Sequence, residues 1–600
     1  MSFGFPARAG GMSARVLQKR LLPVAVAALC IYIVLNRLGE VDLSRITSTL
    51  AAVTPIQWAA AILASAASFL AVGQYDALFH RWLGTGVASQ RAVQSGASAI
   101  ALAQTLGMGL ATGTLARWRA LPELSLSTAL KVTNYVSFSF MAGLGILSLL
   151  VLALPGVGDI GASGFSLAAL AVVVVATLFS FAQPRWLPFP MPPLRMALRL
   201  MILVAADVAL AALAFWVLFP ADLQPHFPQL LAVFTLALGA GLLSGSPGGV
   251  GPFELCLITL LPGFPEPELI AAILAFRLVY YALPACLALC LLARPRAASE
   301  TEGSRALPPD FARAEAHLAD QKGHRLLTSP DGQTLHVGEA SQMLVAIGDP
   351  VCRGVLTKPA LDALCRDADR VSRWPALYKC SARSAALARS QGWTVALLSE
   401  EALLNPGGFS LEGSNRRQLR RKLKRAEKSG VSVERAGALP MVEMTEIATG
   451  WAARAGGERG FSMGRFSEPH LARQRVYLAR LDGRLLAFAS FHVSDGEWTL
   501  DLMRSGAEMP DGTMHALIHA ALLDAADLKV PRLSLAAMPP ADPSRAMDWI
   551  NRLCDGNGLR QFKQSFAPRA EPLYAAAPNA ALLALAATDI LLRIRYPDGL

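Results

Sequence analysis

Long apolar runs fill the first half of this chain and disappear from the second. Eight segments stand out: 21–37, 56–79, 93–114, 132–154, 166–182, 200–219, 229–262 and 268–293. Most approach the ~20 apolar residues that cross a hydrocarbon core. Two are different. Segment 93–114 is rich in Gly, Ala, Ser and Thr, and 229–262 is broken at Ser246-Pro247-Gly248-Gly249-Val250-Gly251. Beyond residue 310 the pattern shortens to strand and helix lengths. Strands are predicted over 336–338 and 343–347, the second ended by Gly348-Asp349-Pro350, and a helix over 361–372. A three-strand run follows at 476–480, 485–493 and 497–503, with Asp482-Gly483 and Asp495-Gly496 as hairpin turns. After Pro510-Asp511-Gly512-Thr513 come a helix over 514–527 and a strand over 532–536.

Loop charge decides the topology. If all eight segments crossed, eight Lys and Arg would lie on each side, against the positive-inside rule. If 93–114 and 229–262 enter and return, fourteen lie inside and only Arg37 and Arg45 outside. The expectation is a polytopic α-helical membrane domain of about six spans plus two re-entrant hairpins, with both termini cytoplasmic. The alternative is a pair of ordinary kinked spans. Broken backbone at membrane depth needs protein or a water-filled cavity around it. Asp207, Glu254 and Arg277 fall within apolar stretches and are the candidate cavity residues. Glu254 either meets a cationic lipid headgroup, the reading slightly favoured, or pairs with Arg277.

The order of antiparallel strands, Gly-containing loop, helix and strand resembles the N-acetyltransferase superfamily. Region 310–400 has strand and helix signals of its own, so two such units in tandem are expected. The domains are then 1–295 (membrane), 296–310 (a linker rich in Pro, Ser, Glu and Arg) and 311–600 (α/β soluble). That superfamily's loop binds pyrophosphate at a helix N-terminus. Here the loop is only Asp511-Gly512-Thr513, opened by an acid, which disfavours coenzyme A. Gly512 and Asp349 stand as substrate-binding candidates on their loops.

Composition agrees with this division. Mean hydropathy is +0.41, and 53% of residues are hydrophobic, too apolar for a soluble protein of this size. The net charge of +11 favours an anionic partner. Eight cysteines without a CxxC pair suggest neither a metal site nor a disulfide framework, which suits a reducing compartment. No small-residue cleavage site follows 21–37, so that segment reads as a retained span.

The strongest local signal is the run Arg416 to Lys428, with eight cations and one acid. Leu419, Leu423 and Ala426 form a narrow apolar stripe, while Arg417, Arg421, Lys424 and Lys428 form a row suited to a phosphate backbone. A membrane-surface anchor and a solvated face are the other readings. Arg560, Lys563 and Arg569 lie among Phe562, Phe566 and Tyr574, which suits a nucleic-acid end or a charged-edge core strand.

Together these residues resemble one family, the phosphatidylglycerol lysyltransferase or multiple peptide resistance factor family. The motifs are Phe409 to Gly413 with the basic run, Gly460 to Phe466, Leu500 to Arg504, Leu559 to Lys563, Gly348-Asp349-Pro350, Ser246 to Glu254 and Arg277 to Tyr281. The resemblance implies an aminoacyltransferase that moves an amino acid, lysine first, from aminoacyl-tRNA to phosphatidylglycerol. It also implies translocation of the product to the outer leaflet of a bacterial inner membrane, with resistance to cationic antimicrobial peptides. Many members have about 14 membrane segments against eight here, which puts flipping in question. Asp501 is the candidate base or amine anchor and Arg504 the phosphate or oxyanion partner. Arg465 and Lys563 are candidate binders of the tRNA end or the lipid phosphate. The expected partners are aminoacyl-tRNA, as co-substrate, and anionic lipid. No other cofactor is expected, and the oligomeric state stays open. A flippase with a non-catalytic soluble domain and an acyl-CoA-type acyltransferase are the competing functions.

Overall fold

The computed structural model describes residues 43–121, 123–153, 162–184, 190–293, 314–321, 323–352, 354–541 and 556–598. The segment 21–37 and the linker 296–310 lie outside them. The chain divides into two compact units, Met1–Thr177 with Met196–Gly303, and Leu178–Arg195 with Ser304–Leu600.

The first unit is a polytopic helical membrane domain. Five helices are long and apolar enough to cross a membrane: Pro55–Trp82, Leu126–Leu152, Leu194–Trp216, Phe227–Ser244 and Glu266–Leu292. Ser166–Ala182 is apolar but shorter. The two weak segments fold back as helical hairpins. Segment 93–114 breaks at Gly107 and Met108, the latter left-handed at φ 51°, into Ser89–Leu106 and Gly109–Ala120. Segment 229–262 breaks after Ser244 and resumes as Pro252–Leu260, with the Phe234 and Phe253 rings 5.6 Å apart across the hairpin. The hairpin tips meet: a Cβ on Gly248 would sit 3.5 Å from the Gln104 carbonyl oxygen.

A π-helical turn, Arg277–Ala282, fastens these tips. Its wider winding frees carbonyls, and Gln104 Nε2 donates to the Tyr280 carbonyl at 2.9 Å. Arg277 Nε donates to Glu254 Oε1 at 3.0 Å, its Nη1 donates to the Gly248 carbonyl, and the guanidinium lies over the Tyr281 ring. The other Glu254 oxygen accepts from Gly251 N at 2.7 Å. Of the two roles open to Glu254, the structure contains the ion pair with Arg277. Asp207 is buried and accepts from Ser68 Oγ and Tyr280 OH. One buried pair escaped the sequence reading. Arg117 is 2% exposed and donates to Asp76 at 2.6 and 2.8 Å, so a cation counted as a loop charge belongs to the core.

The second unit is built on one eleven-stranded sheet in the order β1-β2-β3-β4-β11-β5-β10-β9-β8-β7-β6. The first lobe holds β1 His324–Thr328, β2 Thr334–Glu339, β3 Met343–Ile347, β4 Trp374–Cys380 and β5 Thr394–Leu404. The second holds β6 Ser432–Arg435, β7 Arg475–Leu481, β8 Arg484–Val493, β9 Trp498–Ser505, β10 Leu533–Met538 and β11 Arg569–Ala577. The lobes repeat one plan. In each, antiparallel strands lead to a helix that crosses to a parallel strand: Lys358–Arg370 between β3 and β4, and Thr513–Asp527 between β9 and β10. This is the expected tandem N-acetyltransferase-like arrangement. Strand β11 enters between β4 and β5, antiparallel to both, and fuses the lobes into one sheet.

Candidate active site and basic face

A cavity of about 450 Å³ opens within the second unit. Its wall holds four histidines (His317, His324, His470 and His492) and three arginines (Arg465, Arg473 and Arg593). His324 opens β1 and His492 lies near the end of β8. His470 sits on the one-turn helix Glu468–Leu471, anchored by fully buried Leu471.

Behind the histidines lies Asp501. In β9, Leu500 pairs with Phe491 but Met503 with Ala489, so a bulge sets Asp501 and Leu502 against Ser490 alone. The bulge re-aims the strand. Leu500 and Met503 join the core that includes Leu517 and Ile518, while Leu502 joins the core of Met444 and Phe488. Asp501 receives Gly464 N at 2.9 Å, His470 Nε2 at 2.7 Å and Gln474 Nε2 at 2.7 Å, with His492 Nε2 at 3.4 Å. Burial raises the Asp501 pKa. The imidazoles, His492 first and then His470, outweigh it and hold the carboxyl well below the usual carboxylate range. Gly464 is obligatory at this approach, because a Cβ there would fall 2.1 Å from Asp501 Oδ2.

Asp501 is thus not itself on the cavity wall. It orients His470, whose Nδ1 has no hydrogen bond among the described residues. The carboxylate–imidazole dyad can accept a proton from a bound hydroxyl. His470, His492 and Asp501 also offer three atoms within 4.8 Å of one another, a grouping that could hold a metal ion. The hydrogen bonds already satisfy the carboxylate without one. Deeper in the wall, His324 Nδ1 meets His336 Nε2 at 2.9 Å. Burial pushes both imidazoles down, His324 to about 4 and His336 to about 3.

Several expected site residues have other positions. Arg504 is 5% exposed, bound to Glu458 at 2.7 Å and stacked 3.7 Å from the Trp451 ring centre, so it braces the loop before Phe466 and does not face the cavity. Lys563 is 3% exposed and donates to the Ala537 carbonyl at 2.8 Å, so it does not join a surface row. Asp349 accepts from Ser381 N and Ser384 Oγ and clasps the start of helix Ala382–Ser390. Gly512 is packed on the basic helix: a Cβ there would lie 2.0 Å from the Lys422 carbonyl oxygen. Only Arg465 lines the cavity, and it forms a double ion pair with Asp598.

The basic helix, Arg417–Lys428, divides its cations. Arg416 stacks on Phe409, Arg420 donates to the Leu411 and Gly413 carbonyls, and Lys422 and Arg425 both bind Asp511 at 2.6 Å. Arg417, Arg421, Lys424 and Lys428 are exposed and have no hydrogen bond or ion pair among the described residues. The cavity histidines and Arg593 were not singled out from the sequence. The one available signal was His492, a polar residue inside the strand read over 485–493.

The two like lobes thus enclose a polar cavity and carry an exposed basic helix. Residues 306–577 match the family described as Phosphatidylglycerol lysyltransferase, C-terminal, and over this region the chain is similar to that family. It is similar to the phosphatidylglycerol lysyltransferase of Bacillus subtilis, 26% identical over 276 residues, which are 42% of this chain and 32% of the relative. It is similar also to the lysylphosphatidylglycerol biosynthesis bifunctional protein LysX of Nocardia farcinica, 34% identical over 201 residues, 32% of this chain and 18% of the relative. The chain therefore spans a third or less of the length of these two relatives. Among solved structures, L-PGS from Bacillus licheniformis is 24% identical, with a TM-score of 0.42, covering 48% of this chain and 93% of that one.

Proposed function

We propose that this protein transfers an amino acid, lysine first, from aminoacyl-tRNA to the glycerol hydroxyl of phosphatidylglycerol. The lipid hydroxyl attacks the aminoacyl ester carbonyl, and the proton it loses passes to His470. The tetrahedral intermediate collapses, the ester bond to the tRNA ribose breaks, and His470 returns the proton to the leaving ribose oxygen. One ester replaces another, so positioning matters more than driving force. Asp501 holds the imidazole in place and steadies its charged form, and the cationic wall favours the oxyanion.

The observation that carries this reading is the division of the basic helix. Four cations are engaged within the fold, while four form an exposed row of eleven residues' rise, about 16 Å. Unpaired cations in a line suit a phosphate backbone. The acyl-CoA alternative is disfavoured at the helix N-terminus where a pyrophosphate would lie. There Gly512 abuts the Lys422 backbone, and the Asp511 carboxylate already satisfies Lys422 and Arg425.

The membrane unit would carry the product to the outer leaflet of a bacterial inner membrane, lowering surface negative charge and with it sensitivity to cationic peptides. The decisive experiment supplies the full chain in phosphatidylglycerol vesicles with tRNA carrying a labelled amino acid. Label in the lipid extract supports the transferase. Label confined to tRNA leaves the flippase with a non-catalytic soluble domain. An impermeant amine-reactive probe on intact cells then reads leaflet exposure.

A further inference from the structure

The C-terminal helix Ala580–Arg595 lies beyond the region matched to the family, yet it contributes a residue to the cavity wall. That residue is Arg593. Its guanidinium makes no hydrogen bond or ion pair among the described residues. The two nearby carboxylates are occupied: Asp589 accepts from the backbone N–H groups of Ser341, Gln342 and Met343, and Asp598 is bound to Arg465. Arg593 is only partly accessible, and burial lowers its pKa although the charge of Asp589 nearby acts to raise it. A half-buried cation without a partner is costly, and such groups are retained where an anion completes them. Beside it stands His324, neutral at physiological pH, with Phe461 packed 5.3 Å from its ring. Among the described residues the wall offers no unpaired carboxylate, because Glu339 is bound to Arg373 and Arg325.

We propose that Arg593 anchors the phosphodiester of the lipid acceptor, fixing the headgroup so that its glycerol hydroxyl reaches His470. This deepens the transferase reading and rests on it. A guanidinium fork matches phosphate oxygens in bidentate geometry. The cavity volume of about 450 Å³ suits one headgroup. The tRNA phosphodiesters have a separate, exposed row on the basic helix, so the enclosed cation falls to the lipid.

The test uses the full chain in detergent with dihexanoylphosphatidylglycerol as probe, followed by calorimetry. Arg593→Gln should weaken lipid binding at least tenfold, Arg593→Lys should restore part of it, and affinity for tRNA should stay unchanged. The melting temperature of Arg593→Gln without lipid should be equal or higher, because an unsatisfied charge has been removed. Equal lipid affinity in wild type and Arg593→Gln overturns the proposal. So does a loss confined to tRNA, which would assign the site to RNA phosphate. Failure of Arg593→Gln to fold also overturns it, since the guanidinium would then be part of the fold. Binding does not depend on turnover. A wild-type protein that binds lipid through Arg593 but transfers no label would refute the transferase reading and leave this site standing.

Discussion

Asp501 reaches the cavity through two wall histidines, and the closer is His470, whose Nε2 lies 2.7 Å from Asp501 Oδ2, against 3.4 Å for His492. The carboxylate fixes the ring and cannot substitute for it. His470→Asn should therefore lower kcat by about 10²–10⁴-fold, the usual contribution of a positioned acid–base group. Binding of phosphatidylglycerol should change little. Single-turnover transfer from labelled aminoacyl-tRNA measures this, and a His470→Asn protein with wild-type kcat would remove the imidazole from the mechanism.

Gly464→Ala places a methyl group where Asp501 Oδ2 now lies. The loop must shift or the carboxylate must turn. Overpacking of this kind costs roughly 1–3 kcal/mol. We expect a lower melting temperature together with loss of transfer. An alanine variant that melts and turns over like wild type would show that the Gly464–Asp501 contact is dispensable.

Reversing charge at Arg417, Arg421 and Lys424 together should abolish transfer from tRNA and leave the fold intact, since none of the three has a hydrogen bond or ion pair among the described residues. Residual tRNA binding should lose most of its salt dependence. By contrast, Lys422→Glu faces Asp511 and should loosen the junction between the basic helix and helix Thr513–Asp527. Circular dichroism and tRNA filter binding separate the two cases. Normal tRNA affinity in the triple variant would reduce the row to a solvated face.

The His324–His336 pair makes the soluble unit acid-sensitive. Folded, the two imidazoles titrate at about 4 and about 3, against about 6.5 in the unfolded chain. Below pH 6.5 the unfolded state binds more protons. Stability is then complete above pH 6.5 and falls as pH drops toward the folded values, by up to about 1.4 kcal/mol per pH unit for each imidazole. Thermal melts between pH 7.5 and 5 should show the decline, and His336→Gln should flatten it. Equal slopes in both proteins would count against the pair as its source.

Glu254→Gln leaves Arg277 with its charge and without its counter-ion at the tip of a broken hairpin. Removing one partner of a buried pair typically costs about 3–5 kcal/mol, and for this partly buried pair the loss should lie at or below that range. Reduced accumulation and a lower melting temperature in detergent are expected, with any transport defect secondary. Normal expression and stability would mean that the Gly248 carbonyl and the aromatic rings suffice for Arg277.

What was legible in the sequence is what local physics dictates. Runs of apolar residues declare helices for a bilayer whatever their neighbours. Asp482-Gly483 turns the chain between β7 and β8 because both residues take left-handed angles, φ 50° and 80°. The basic helix could be read, down to its outward row, because 3.6-residue periodicity sorts its faces. The weak segments 93–114 and 229–262 betrayed their breaks through Gly and Pro. The site was not local. His324, His470, His492 and Arg593 come from four elements spread over 270 residues, and the pairing of β11 with β4 and β5, together with that of β5 with β10, brings the lobes into one sheet. Whether a charge faces ligand or core was decided the same way. Arg504, Lys563, Arg117 and Glu254 are charged residues of kinds that commonly serve sites, yet the folded chain supplies each with a partner. Satisfying a desolvated charge requires atoms from distant strands and helices, and no pattern along a single segment records which atoms those will be.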